Sequence, residues 1–102
     1  GSCVCGQTIY EYTGEYSSPP GVVACHCNAC RKTSGSNRSL NLVVPVGSVT
    51  VNPGSPEKLV TRKGDSGKDV VYHSCGNCGS IMYADPALFP DDLWLKIGLL
   101  DD

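Results

Sequence analysis

The sequence is poor in the features that usually announce a function. Its 102 residues include one tryptophan, one phenylalanine, one methionine and two histidines. The eight lysines and arginines form no basic tract, and the net charge is −2. Without clustered positive charge the chain has nothing to collect phosphates, which disfavours nucleic-acid binding. No apolar run approaches the length of a membrane span and no secretory leader is visible, so no membrane association is expected. No Ser-His-Asp order, paired carboxylates or Gly-rich phosphate loop stands out, and Asp101-Asp102 offers no acid–base pair. The length suits a single domain, residues 1–102, with a modest core that benefits from a staple.

What the chain has is cysteine, seven residues in three groups. Cys25-His26-Cys27-Asn28-Ala29-Cys30 puts three thiols on one short stretch with C-x-C-x2-C spacing. Cys3-Val4-Cys5-Gly6 is a C-x-C knuckle. Cys75-Gly76-Asn77-Cys78-Gly79 is a C-x2-C knuckle, in which glycines let the backbone turn so that both sulfurs face one ion. An odd number of closely clustered thiols favours metal over disulfides, and bound metal needs reduced thiols, so a cytoplasmic location is expected.

The cysteines partition as four and three with none left over. Structural zinc is closed by four protein ligands, whereas catalytic zinc has three and an open position. Cys3, Cys5, Cys75 and Cys78 therefore predict a closed site that staples the two ends of the chain. Cys25, Cys27 and Cys30 predict a second, open site with room for a reactant, two zinc ions per chain in all. The competing reading is a second structural zinc completed by His26 or His73. His26 lies between two ligands, and alternation would point it away from their ion.

Between these groups run short β-favouring stretches separated by Gly, Pro, Ser and Asn. Strands are expected over Gln7–Tyr12, Val22–Ala24, Ser39–Val44, Val49–Asn52, Lys58–Arg62, Val70–Ser74, Ile81–Tyr83 and Leu93–Gly98. In the last, Leu93, Leu95 and Ile97 alternate with Trp94, Lys96 and Gly98 to give one apolar face. Tyr16–Gly21 reads as a loop, Arg31–Asn37 as one helical turn closed by Gly35, and Pro86–Phe89 as a short helical turn. The pattern is all-β, a small zinc-stapled fold of short antiparallel strands.

Arg31, Lys32 and Arg38 follow the open site. They can anchor carboxylates, together with amides around Ser34-Gly35-Ser36, or be an ordinary solvated loop. Arg62 and the Gly64–Gly67 turn admit the same two readings. Trp94 and Tyr83 suit core or pocket wall rather than chemistry.

Taken in order, Gly1-Ser2-Cys3-Val4-Cys5-Gly6, Cys25-His26-Cys27-Asn28-Ala29-Cys30-Arg31-Lys32 and Cys75-Gly76-Asn77-Cys78-Gly79-Ser80 resemble the glutathione-dependent formaldehyde-activating enzyme family. That family also includes centromere protein V. The closing Lys96-Ile97-Gly98-Leu99-Leu100-Asp101-Asp102 fits its end motif, so the resemblance spans the chain. It implies a zinc-pinned β-tent fold, a structural zinc on Cys3, Cys5, Cys75 and Cys78, and an active-site zinc on Cys25, Cys27 and Cys30. It also implies a carbon–sulfur lyase-type activity on a small-molecule thiol adduct, with glutathione as co-substrate. One departure is Ser74, where the family commonly has an aromatic residue. The alternative from another class is a non-catalytic, zinc-stapled interaction module like that of centromere protein V.

Overall fold

A computed structural model describes residues 1–13 and 22–101. The loop expected over Tyr16–Gly21 lies outside the described residues, as do Gly14 and Asp102. Among the described residues there are eight strands: β1 (Tyr10–Tyr12), β2 (Val22–Cys25), β3 (Ser39–Pro45), β4 (Val49–Val51), β5 (Glu57–Lys63), β6 (Asp69–Cys75), β7 (Ile81–Pro86) and β8 (Asp92–Lys96). One helix, α1 (Asn28–Ser34), follows β2, and a 3-10 turn (Ile97–Leu99) follows β8.

β1 and β4 pair as a small antiparallel sheet. The other six strands form one sheet in the order β2-β3-β8-β7-β6-β5, with every neighbour antiparallel. β5 to β8 is a meander, and β8 then docks beside β3 to unite the two halves of the chain. The fold is all-β, as the alternating short runs predict.

Directly opposed residues of an antiparallel pair share a face, so the register sorts the large sheet into two surfaces. Leu42 opposite Leu95 and Val44 opposite Leu93 lie on one. This surface packs on the small sheet, and Tyr10, Leu42, Val44, Met82, Leu93 and Leu95 form the core. Asn41 opposite Lys96, Ala84 between Trp94 and Tyr72, and Val70 between Pro86 and Arg62 lie on the other. That second face holds the site described below.

Several local outcomes differ from expectation, among them β7, which runs on to Pro86 rather than ending at Tyr83, so that Pro86 is a strand residue and not the start of a helical turn. The first strand is shorter, starting at Tyr10 rather than Gln7. Residues before it are held in the first knuckle, where the Cys3 amide donates to the Thr8 carbonyl (3.0 Å) and Ser2 bridges Ile9. The last strand stops at Lys96, and Ile97 and Gly98 belong to the 3-10 turn instead, although Ile97 still packs on the core. The helical segment starts earlier and is longer, at Asn28 rather than Arg31.

The early start has a capping cause. Cys27 has an extended backbone (φ −64°, ψ 162°), and its sulfur accepts the Cys30 amide hydrogen (3.3 Å), as a Ser or Asp oxygen does at an N-cap. Gly35 ends the helix at φ 67°, a left-handed conformation that costs glycine little, and its amide returns to the Arg31 carbonyl. The cysteine stretch is therefore a strand end and a helix start, not a free loop.

Candidate metal centres and the cavity beside one of them

The sulfurs of Cys3, Cys5, Cys75 and Cys78 all lie within 4.8 Å of one another. Cys3 and Cys5 sulfurs are 3.4 Å apart, and those of Cys5 and Cys75 are 3.8 Å apart. Four thiolates at about 2.3 Å from a tetrahedral zinc are separated by about 3.8 Å, whereas a disulfide needs about 2.0 Å. The donor set fits a metal ion.

The surroundings suit ionised sulfur. Cys3 Sγ accepts the Thr8 amide (3.3 Å), and Cys75 Sγ accepts the amides of Asn77 (3.3 Å) and Cys78 (3.4 Å). The Ser80 hydroxyl, with its amide, holds the Cys78 thiol down at about 5. A hydrogen bond from Thr8 lowers Cys75 in the same sense. Such donors stabilise the charged form, which is the form that binds metal. Cys3 and Cys75 are buried, and the cluster joins positions near both ends of the chain.

The sulfurs of Cys25, Cys27 and Cys30 make a second group within the same 4.8 Å limit. Cys25 ends β2, Cys27 caps α1 and Cys30 lies in its first turn. No histidine, carboxylate or fourth cysteine joins this group among the described residues. His26 is exposed. His73 is engaged elsewhere, with Nδ1 3.0 Å from Glu57 Oε1 and its ring stacked on Tyr83 at 4.2 Å. The N-cap hydrogen bond from Cys30 lowers the Cys27 thiol, while burial pushes Cys30 up to about 11.

These three thiols open onto a cavity of about 280 Å³ on the second face of the large sheet. Its floor is strand residues; its rim is the turn at Gly64–Lys68 and the turn after β7. Three cations line it: Arg62, Lys68 and Lys96. Lys96 Nζ donates to Asn41 Oδ1 at 2.7 Å. Asn41, 1% exposed, is fixed in turn by its own donation to Ser39 Oγ at 3.0 Å. Burial lowers the Lys96 ammonium from its ordinary value, and the thiols of Cys30 and Cys25 oppose that effect. Arg62 Nε donates to the Tyr72 hydroxyl at 2.7 Å, which holds the guanidinium against the sheet.

Sequence order misplaces the nearest charges. Arg31, Lys32 and Arg38 are exposed and none lines the thiol cavity. Arg31 turns to Asn28 Oδ1 (2.8 Å) and Arg38 to Asn37 Oδ1 (3.0 Å). The Gly35 amide closes the helix and the Ser36 amide binds Ser34 Oγ, so neither is free for a ligand. Of the cations considered from sequence, Arg62 is in the cavity with its neighbouring turn. The sequence reading passes over Lys68, Lys96 and Asn41; the signal for the last two is that each is a polar residue flanked by apolar ones. Trp94 is cavity wall, while Tyr83 packs beside the core. Ser74 is buried at the irregularity where β6 and β7 shift register, just before the second knuckle.

A small antiparallel β domain with one four-thiol cluster and one three-thiol cluster, each able to hold a metal, is the class that fold and site define. The chain belongs to the glutathione-dependent formaldehyde-activating enzyme family, whose model matches residues 1–102. The family name implies a glutathione-related enzymatic activity. Among solved structures, a Rhodobacter sphaeroides protein determined as a structural-genomics target shares the fold, with a TM-score of 0.76 at 17% identity. The match covers 99% of this chain and 86% of that one. No curated protein matches the chain. Among the described residues, no helix is long and apolar enough to cross a membrane.

Proposed function

We propose that this chain is a zinc-dependent carbon–sulfur lyase-type enzyme that makes or breaks the adduct of glutathione with a small electrophile. The observation that carries this reading is the three-thiol cluster, which has no fourth protein ligand among the described residues and opens onto a cavity lined by Lys96 and Arg62. Zinc held by Cys25, Cys27 and Cys30 would supply a Lewis acid with one position free for a thiolate sulfur. Cys3, Cys5, Cys75 and Cys78 would hold the other, structural zinc.

For an aldehyde adduct the reaction breaks the C–S bond and forms C=O. The bond's electron pair stays on sulfur, and the hydroxyl proton passes to solvent water, from which the released thiolate can regain one. The chain's own part is to handle that oxygen. The Lys96 ammonium, oriented by Asn41, keeps N–H groups to donate to an oxygen whose charge grows as its proton departs. Arg62 and Lys96 also offset the net negative charge that thiolates bring to this face. In the reverse direction the same Lys96 donor polarises the carbonyl while the thiolate adds.

The test is turnover at substoichiometric protein. Exchange between glutathione, an aldehyde and their adduct, followed by NMR, should accelerate in proportion to protein and exceed one event per chain many times over. Acceleration that saturates at one event per chain would leave the interaction-module reading. Elemental analysis should give two zinc equivalents per chain.

A further inference from the structure

The wall of the thiol cavity has two kinds of surface. One is charged, from Arg62, Lys68 and Lys96 with Asp65 and Asp69, and the other is carbon, from Val70, Ala84, Pro86, Leu88, Phe89 and Trp94. Leu88 and Phe89 sit on the turn after β7 and are 47% and 46% exposed. The Phe89 ring leans on Trp94, with centroids 6.2 Å apart. Large apolar side chains left open at the mouth of a cavity mark surface that a ligand covers.

A one-carbon adduct cannot cover it. If sulfur is held at Cys25, Cys27 and Cys30, a formaldehyde-derived carbon adds only a hydroxymethyl group beside Lys96. The rest of glutathione does not suit this wall either. It carries two carboxylates and an ammonium, and pressing those against carbon strips their hydration without giving partners. What remains is a substituent on the electrophile's own carbon.

On the reading that the three-thiol cavity is a lyase-type site for thiol adducts, we infer that its substrate bears an aryl or branched-alkyl group on the carbon attached to sulfur. Sulfur sits at the three thiols, the carbon's oxygen meets Lys96, and the apolar group lies between Trp94, Phe89 and Leu88. The bond changes are those of the proposed reaction, and the apolar group takes no part in them. It supplies binding energy that fixes the reacting carbon.

Two measurements on the metal-replete chain test this separately from turnover. By calorimetry, S-benzylglutathione should bind about tenfold or more tightly than S-methylglutathione, the scale a filled apolar pocket gives. Phe89→Ala should narrow that ratio, and Leu88→Ala, on the same exposed turn, should narrow it too. Equal affinities for the two thioethers, or a ratio that neither substitution moves, would overturn the inference, whether or not the protein turns over. In the exchange assay, acceleration over the uncatalysed rate should be larger for benzaldehyde than for formaldehyde. An order with formaldehyde first would overturn the inference while leaving the lyase reading intact. Absence of turnover with every aldehyde, alongside a benzyl preference, would sink the lyase reading and keep the assignment of the apolar wall.

Discussion

The two thiol clusters use one kind of donor to opposite ends. In the four-thiol cluster the sulfurs come from two knuckles some seventy positions apart, as in the 3.8 Å approach of Cys5 to Cys75. In the three-thiol cluster they come from one strand end and the helix it leads into. The first can only form when distant parts of the chain are in place, so binding energy there is folding energy. The second closes no long loop and leaves one side open to a cavity. On the proposed reading, what separates the structural thiol site from the reactive one is less the ligands than how many pieces of chain each ties together.

The largest effect should come from breaking the first cluster. Cys75→Ser removes a buried ligand and opens the closed set. Structural zinc contributes on the order of 10 kcal/mol in small domains, so a loss of several kcal/mol is expected. The melting temperature should fall by tens of degrees, or the protein should be unfolded at 25 °C. Cys27→Ser should behave otherwise. Serine is a good N-cap, and its hydroxyl can accept the Cys30 amide hydrogen that Cys27 Sγ now takes. A cost of about 1 kcal/mol or less is expected, together with loss of adduct exchange. Thermal melts of the two variants check the contrast, and a larger drop for Cys27→Ser would reverse the two roles.

Lys96→Met comes next and bears chiefly on activity, although it also leaves the buried Asn41 Oδ1 without its Lys96 donor. It keeps the length and apolar stem of the side chain but removes the donors. If Lys96 stabilises charge on the adduct oxygen, exchange should slow by about a hundredfold, the lower end for losing such a donor. Affinity for S-benzylglutathione, which has no such oxygen, should change far less. Equal losses in rate and thioether affinity would make Lys96 a general anchor instead.

Much of this was legible in the cysteines. Their spacing predicts two clusters, and the structure assembles the same two groups, because a knuckle is a local backbone property that C-x-C and C-x2-C with glycine encode. Strand positions were legible for a similar reason: the short apolar run in Ser39–Val44 and the alternation in Leu93–Leu95 are local. The start of α1 was not, since Asn28-Ala29-Cys30 has no apolar period and its cap is a sulfur. The cavity was not legible either. Alternation shows that Asn41 and Lys96 oppose the apolar faces of their strands, but only the pairing of β3 with β8 brings them together. Arg31 and Lys32 follow the thiols in sequence yet turn outward, because a helix leading away from the site carries them past it.

The smallest effect isolates packing at the four-thiol end from the metal. Tyr10 is 2% exposed, exchanges backbone hydrogen bonds with Gly1, and its hydroxyl is buried with no partner among the described residues. Burial, with Asp101 nearby, pushes its phenol up to about 12, and burial pushes Tyr83 up to about 12 as well. A phenol raised in the folded state keeps its proton there after the unfolded chain, near 10, has begun to lose it. The folded state then binds more protons, so stability is fully present below about pH 10 and declines as pH rises toward about 12. Tyr10→Phe removes one of these two contributions and an unpartnered hydroxyl without opening a cavity. Stability at neutral pH should be unchanged or higher by about 1 kcal/mol, since a buried hydroxyl without a partner is itself a cost. The decline between pH 10 and 12 should be shallower, with Tyr83 among the groups that supply the remainder. Urea melts of both proteins at neutral pH and at steps through that window measure it. An undiminished alkaline decline in Tyr10→Phe would assign the loss to the thiol clusters rather than to the phenol beneath them.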